Sequence, residues 1–475
     1  MAVVSNKIEN VYPLTPLQEG MLFHHLANPN SAEYIMQHAY NVDMELNTEN
    51  IKRALALLSV RYSALRTAFA YKKTKEIYQV VLAEREIEYN FISLVNDDKK
   101  DDNYKKILAN DLNRGFDLIK DSLLRVTHVQ FDEKVNKLVF SFHHIIVDGW
   151  CIGIVIDSFW KYYNSLSEGI SYDELLKSVV DEKSKSSDYS EYIKWLNKQD
   201  KEKAGQFWAK ELEGYDSDAK IESLHKPERT NEQVRELIGY VDQDNTEKLK
   251  MLSKNNEATI NTVAEVAVGI LLQRYSASDD VVYGKVVSGR NVPINGIEKM
   301  VGLFINTIPV RVSSDDNTTV GELIRTQQEK GIESTEFEYY SLAEIQNNTM
   351  QGSNLINVIF VYENYMSGQN ANKDGEKNDS IYVEYVREQT NYNITISATE
   401  IDGKLGFEIL YNPNQYSDLE AKFIMDRLLK ICEQMAKDSE IKVSDIDAIN
   451  EDEKALIVNE FSNTKSEYPV DKTVV

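Results

Sequence analysis

Two periodicities of apolar residues divide this chain into helices and strands. Ile51, Leu55 and Leu58 fall on one helical face, and Asn47 or Thr48 stands where a cap belongs, so a helix is predicted through Tyr62. Just before it, Gln37–Leu46 alternates apolar and polar positions, the period of a strand. Similar runs predict strands at Leu65–Tyr71, Ile77–Leu82, Leu123–Phe131 and Lys137–His143. Helices are predicted at Leu17–Leu26, Asn103–Arg114 and Ile152–Tyr163. Tyr12-Pro-Leu-Thr-Pro16 reads as a stiff, extended lead-in.

From about Ser165 to Arg235 the chain becomes charged and the strand patterns stop. Asp188–Leu212 is predicted helical and Asp216–Glu232 loop-like, which places a boundary between two lobes here. The second half resumes with strands at Val234–Val241, Val281–Val287, Asn306–Val312, Leu355–Tyr362 and Ile381–Arg387. Helices are predicted at Thr262–Tyr275, Val320–Gly331 and Ser417–Ala436. Asn393–Thr399 and Lys404–Tyr411 form a hairpin around Asp402-Gly403. Ser367–Ser380 is polar and predicted as a loop. The fold class expected is mixed α/β with antiparallel hairpins, not a regular βαβ series. Residues 1–175 are expected to form a first lobe, 176–450 a second, and 451–475 a linker.

Composition narrows the function classes. With 53 Lys and Arg against 77 Asp and Glu, the chain carries a net charge of −24. That opposes phosphate backbones and anionic membranes, so no nucleic acid and no membrane partner is expected. Cys151 and Cys432 are too few for a secreted disulfide scaffold and point to a cytoplasmic protein. No apolar run of about 18 residues predicts a membrane span. Metal-ligand spacing is absent, as are the glycine-rich loops that cradle nucleotides and the G-x-S-x-G elbow of a serine hydrolase.

Chemistry concentrates in Ser141-Phe-His143-His144-Ile-Ile-Val-Asp148-Gly149-Trp150. The string ends an apolar strand and opens an apolar helix. On a strand, His143 and His144 point to opposite faces, a poor arrangement for binding one metal. One histidine as general base and the other as packing fits better, because an imidazole can take a proton from an attacking amine or hydroxyl. Asp148 reads as helix cap or as one half of a buried ion pair, both structural. Gly149 permits close backbone approach, and its N–H at a helix start can stabilise an oxyanion. Cys151, at an apolar helix start, reads as an inert buried thiol.

The string and its companions resemble the condensation domains of non-ribosomal peptide synthetases, over about residues 10–462. Tyr12-Pro-Leu-Thr-Pro-Leu-Gln-Glu-Gly-Met-Leu-Phe-His24 matches the opening motif. Arg61-Tyr-Ser-Ala-Leu-Arg66-Thr-Ala-Phe69 matches the second, with Tyr62 where His is usual. His143–Trp150 is the central motif, Tyr189-Ser-Glu-Tyr-Ile-Lys-Trp195 the fourth and Val301–Arg311 the fifth. Leu355–Tyr365 resembles a strand near the end of the pattern.

The resemblance implies two chloramphenicol-acetyltransferase-like lobes forming a V, with a central tunnel between them. Upstream and downstream peptidyl carrier proteins would insert phosphopantetheine arms from opposite ends, the domain binding no cofactor itself. The acceptor amine would attack the donor thioester and form an amide. Carried over residue by residue, His144 is catalytic with Gly149 beside it, His143 and Asp148 support the site, and Arg290 is the partner of Asp148. Trp150, Ser288 and Asn306 would line the tunnel. Val287–Arg290 would cross beneath it, and Ile381–Tyr411 would include a crossover between lobes. The tail from Asn463 resembles the linker toward an adjacent adenylation domain.

Epimerisation, ester formation and non-catalytic docking on the same fold are the alternatives. Gly149-Trp150-Cys151 resembles the condensation form rather than the epimerising one, and docking modules tend to lose the active-site pattern. The opening motif resembles the subclass taking an L-configured donor. His24-His25 lacks the Gly-Asp ending of a dual epimerising motif and reads as a surface or packing pair.

Overall fold

The computed structural model describes residues 7–29, 31–72, 76–223, 230, 234–363 and 380–461. The first half runs β1 (Ile8–Pro13), α1 (Pro16–Ala27), β2 (Ile35–Val42), α2 (Thr48–Arg61), β3 (Thr67–Ala70), β4 (Tyr78–Leu82) and β5 (Glu88–Ser93). It continues with α3 (Lys100–Arg114), β6 (Leu124–Gln130), β7 (Asn136–His143), α4 (Gly149–Ser167), α5 (Tyr172–Lys185), α6 (Tyr189–Leu196) and α7 (Lys201–Glu211). The second half runs β8 (Arg235–Tyr240), α8 (Gln243–Asn255), α9 (Ile260–Ser276), β9 (Asp280–Val287), β10 (Asn306–Ser313), α10 (Val320–Ser334) and α11 (Leu342–Asn347). It ends with β11 (Val358–Tyr362), β12 (Ile381–Arg387), β13 (Ile394–Ile401), β14 (Lys404–Tyr411), α12 (Asp418–Lys437) and α13 (Glu451–Leu456).

Local chemistry sets many of these boundaries. The Asn47 side chain accepts from the N–H groups of Glu49 and Asn50 and starts α2. Ser417 and Glu420 close a reciprocal capping box on α12. Asp402 and Gly403 take φ of +50° and +78°, the turn a tight hairpin demands. The helix expected over Asp188–Leu212 is two helices instead. Asp200 accepts from the Lys203 N–H and starts α7 afresh after α6 has ended.

Each half builds a sheet with helices against it. The first sheet has the order β12-β2-β7-β6-β5, the second β10-β9-β11-β13-β14-β8. A small sheet β1-β4-β3 flanks the first. Most pairings are antiparallel, but β5 runs parallel to β6, and β11 parallel to both β9 and β13. Ile51, Leu55 and Leu58 of α2 share a core with Phe140, Phe142 and Phe159. In the second lobe, α9 is buried continuously from Thr262 to Gln273, between the sheet and its neighbouring helices.

The lobes are joined by exchange. β12 belongs to the second half of the sequence yet pairs antiparallel with β2, from Ile381↔Val42 to Arg387↔Gln37. Helix α5, which begins at Tyr172, packs Val179 into the first-lobe core. The polar segment expected as a loop lies outside the described residues except Ser380, as does the tail from Asn463. Among the described residues no helix is long and apolar enough to cross a membrane.

Candidate active site

Strand β7 is buried along its whole length and paired on both sides, by β2 and β6. It ends at His143, whose Nδ1 accepts the Ile145 N–H at 3.1 Å and caps a single 3₁₀ turn over His144–Ile146. The two histidines therefore do not alternate across one strand, as the sequence alone suggested. His144 lies past the strand because the His143 ring competes for the backbone that would have extended it. Two further bonds fix the turn. Gln18 Nε2 of α1 donates to the Ile145 carbonyl at 2.9 Å, and the His144 N–H donates to the Tyr34 carbonyl at 2.8 Å.

His143 is buried, with its ring edge-on to His25 and to Phe116. Because Nδ1 accepts, its proton sits on Nε2. Burial, then the neighbouring His25 and His144, hold its pKa well below the ordinary 6.5, so it stays neutral. His144 is 9% exposed, and its Nδ1 is enclosed without a hydrogen-bond partner among the described residues. The pair His24-His25 is packing in part: His25 contacts His143, and His24 lies 6.1 Å from the Tyr34 ring.

Asp148 is fully buried and does two things at once. Oδ1 accepts the Cys151 N–H at 3.2 Å and caps α4, while Oδ2 accepts the Phe304 N–H at 3.0 Å from the other lobe. Arg290 Nη2 lies 3.4 Å from Asp148 Oδ1. The guanidinium also donates to the Ile297 and Met300 carbonyls and lies over the Phe304 ring at 4.0 Å. Gly289 turns the chain into Arg290 with φ of +63°, and a Cβ there would stand 1.9 Å from the Phe304 carbonyl oxygen. Cys151 is buried, donates to the Gly302 carbonyl at 3.1 Å, and burial pushes its thiol pKa up, which fits an inert thiol.

The other expected site residues sit close by but serve different ends. Gly149 opens α4, so its N–H is among the first-turn donors. Trp150 is half exposed and donates its indole N–H to the Glu298 carbonyl at 3.0 Å, bridging the lobes. Ser288 is exposed and accepts the Arg290 N–H at 3.3 Å. Asn306 is buried and donates to the carbonyls of Glu338 and Tyr340, both at 2.7 Å, so its amide holds a loop. Among the described residues no group of three His, Cys, Asp or Glu side chains could hold a metal.

Two residues of this neighbourhood, Tyr34 and His38, lie outside every sequence motif, whereas Gln18 belongs to the opening one. Gln18 and Tyr34 grip the His144 turn through backbone groups. His38 on β2 is buried, and burial with the nearby His144 lowers its pKa to about 4. Only the alternation of β2 could have singled out His38, as a histidine on an apolar face.

Comparison with known proteins agrees with this architecture. A family model described as the condensation domain matches residues 8–458. The chain is 33% identical to bacitracin synthase 3 of Bacillus licheniformis over 473 residues, 99% of this chain and 7% of that protein. It is 34% identical to tyrocidine synthase 3 of Brevibacillus parabrevis over 471 residues, 98% of this chain and 7% of that one. The chain thus spans less than a tenth of the length of these two relatives. A solved four-domain nonribosomal peptide synthetase bound to AMP and glycine shares the fold with a TM-score of 0.77 at 17% identity, over 96% of this chain and 35% of that one. With its motifs in order and the match running nearly end to end, the chain belongs to the condensation-domain family.

Proposed function

We propose that this chain forms peptide bonds between two carrier-bound thioesters, with His144 as the residue that handles the proton. The observation that carries the reading is the position of His144 at the seam of the lobes. On one side Tyr34 ties its backbone to the crossover, and on the other Asp148 ties the same motif to Phe304 and Arg290.

The step is balanced simply. The acceptor amine attacks the donor carbonyl, a C–N bond forms, and the C–S bond breaks. His144 accepts the ammonium proton and returns it to the departing thiolate. Gly149, at the helix start, is the donor for the transient oxyanion. Most of the rate would come from holding two tethered reactants together, an effect of up to about 7–11 kcal/mol. His143 and Asp148 support the site, Arg290 anchors Asp148, and Trp150, Ser288 and Asn306, expected to line the tunnel, act through the lobe bridge and the loops they hold. Phosphopantetheine arrives with the upstream and downstream carrier proteins, and an adenylation domain adjoins the tail. We take residues 1–175 and 176–450 as the two lobes, with the rest of α5 and β12 returned to the first, and 451–475 as the linker.

The test offers purified chain several carrier-bound donor and acceptor pairs and reads products by mass. Amide should appear only when both partners are phosphopantetheine thioesters, and weakly with small soluble thioesters, which lack docking. Dipeptide formed from free amino acids and ATP alone would refute the reading.

A further inference from the structure

Two glutamines are among the most deeply buried polar side chains of the first lobe. Gln18 on α1 and Gln79 on β4 are each 1% exposed. Gln79 shares its side of β4 with the buried Val81, a place where an apolar residue would be expected. A primary amide has two N–H donors and an oxygen that can accept twice, and leaving these unpaired in a core is unfavourable. Here the two amides pair with each other. Gln18 Nε2 donates to Gln79 Oε1 at 3.2 Å, and Gln79 Nε2 donates back to Gln18 Oε1 at 3.0 Å.

The remaining bonds give the pair a direction. Gln18 Oε1 also accepts the Thr15 N–H at 2.9 Å, the reciprocal half of the cap that starts α1. The other bond donated by Gln18 Nε2 goes to the Ile145 carbonyl at 2.9 Å, within the turn that carries His144. Every donor and acceptor position of the Gln18 amide is then filled, so it has one orientation. Gln79 Nε2 donates in addition to the Pro13 carbonyl at 2.9 Å. A continuous line of bonds thus runs from the end of β1 through both amides to the His144 turn.

The far end of this line is fixed. β4 is the middle strand of the small sheet, with Tyr12 opposite Gln79 on one side and Phe69 on the other. A pair of apolar side chains of similar shape would fill the same space with no polar group to satisfy. What the amides add is a donor held in one place and aimed at Ile145. The turn is gripped on its other side by the carbonyl of Tyr34.

We propose that Gln79 is a positioning residue for His144: by pairing with the Gln18 amide it fixes the donor that holds the Ile145 carbonyl, and so fixes the turn that presents His144. The assignment rests on the peptide-bond-forming role given to His144 above. Gln79 acts through Gln18 and the backbone of the turn, not on the reacting atoms.

Hydrogen exchange and turnover together test this. In the wild-type protein the side-chain N–H groups of Gln18 and Gln79 should exchange as slowly as buried backbone amides. Exchange at the rate of a free amide would overturn the pairing whatever the variants do. In Gln79→Met, backbone exchange across residues 143–148 should quicken at least about tenfold, and kcat should fall about tenfold to a hundredfold with KM for the carrier-bound acceptor unchanged. The double variant Gln18→Met, Gln79→Met separates positioning from stability. Its melting temperature should return toward wild type, because no amide is left unpaired, while kcat stays low, because Ile145 still lacks its donor. A folded Gln79→Met with wild-type kcat, or a double variant whose kcat recovers along with its melting temperature, would overturn the assignment. If Gln79→Met does not fold, wild-type exchange and the double variant decide. If the wild-type chain forms no amide at all, the function reading falls, and exchange across residues 143–148 alone decides whether Gln79 holds the turn.

Discussion

The His144 N–H donates to the carbonyl of Tyr34 at 2.8 Å, and Tyr34 is a bulky residue held at φ of +63°. Such a backbone costs on the order of 1–3 kcal/mol and persists only where its surroundings over-determine it. They do here. The Tyr34 N–H donates to the Gln389 carbonyl at 2.9 Å, and its hydroxyl donates to Asn391 Oδ1 at 2.6 Å. Gln389 and Asn391 lie just beyond β12, on the segment that returns to the second lobe. One residue thus ties the crossover to the turn that carries His144.

His144→Ala is expected to leave the fold intact and to lower amide formation at least about a hundredfold, the usual lower range for removing a general base. Its backbone bonds to Tyr34 and Val147 do not depend on the side chain. Single-turnover product analysis alongside a melting curve checks both halves. Near-wild-type amide yield from the folded variant would remove His144 from the mechanism.

Asp148→Ala and Arg290→Ala should each destabilise the protein by about 3–5 kcal/mol, because each leaves a buried opposite charge unpaired. The Asp148 variant also loses its helix cap and the bond from Phe304. The double variant should cost clearly less than the two single changes added together, since the orphaned charge is then absent. Denaturant unfolding of all four proteins gives the cycle, and plain additivity would mean that the 3.4 Å contact carries no energy.

Gly289→Ala should be among the most damaging methyl additions in the chain. The new Cβ would meet the Phe304 carbonyl at 1.9 Å, from a positive φ that alanine also resists. Gly169→Ala is the control, with φ of +94° but open space around its Cβ position. Soluble yield and melting temperature should fall far more for Gly289→Ala, and equal losses would show that φ alone, not the contact, sets the cost.

The contribution of the two buried histidines to stability should fall on acidification through the histidine range. His38 has a folded pKa of about 4, and His143 is held well below 6.5, both first by burial. Above 6.5 neither folded nor unfolded chain protonates them. Below it the unfolded chain takes up protons that the folded one refuses, so stability is lost as pH drops from 6.5 toward 4, by up to about 1.4 kcal/mol per pH unit and site. Glu338 and Glu408, raised to about 7 by burial, act oppositely and lose their contribution as pH rises through that value. Comparing wild type with His38→Gln by denaturant unfolding cancels the shared terms. The variant should show the flatter profile, and parallel profiles would mean that His38 titrates normally.

The sequence by itself determined whatever is settled within a few residues. The β13–β14 hairpin was legible because Asp402-Gly403 supplies the positive φ values the turn needs, and α12 because Ser417 and Glu420 cap it. The His143–Trp150 string was legible because an apolar strand, a turn and a capped helix follow one another directly in the chain. Only the tertiary structure decided the rest. Ser171 and Asp242 cap the charged helices α5 and α8, but it is the partners covering one side of each, and of the polar strand β5, that complete them. β12 joins the first-lobe sheet because the edge of β2 is free to pair, a choice made between segments more than 300 residues apart. His38 is placed the same way. Its position opposite Phe140 of β7 follows from the β2–β7 register, and register is fixed by which faces are buried, not by any residue's neighbours in the chain.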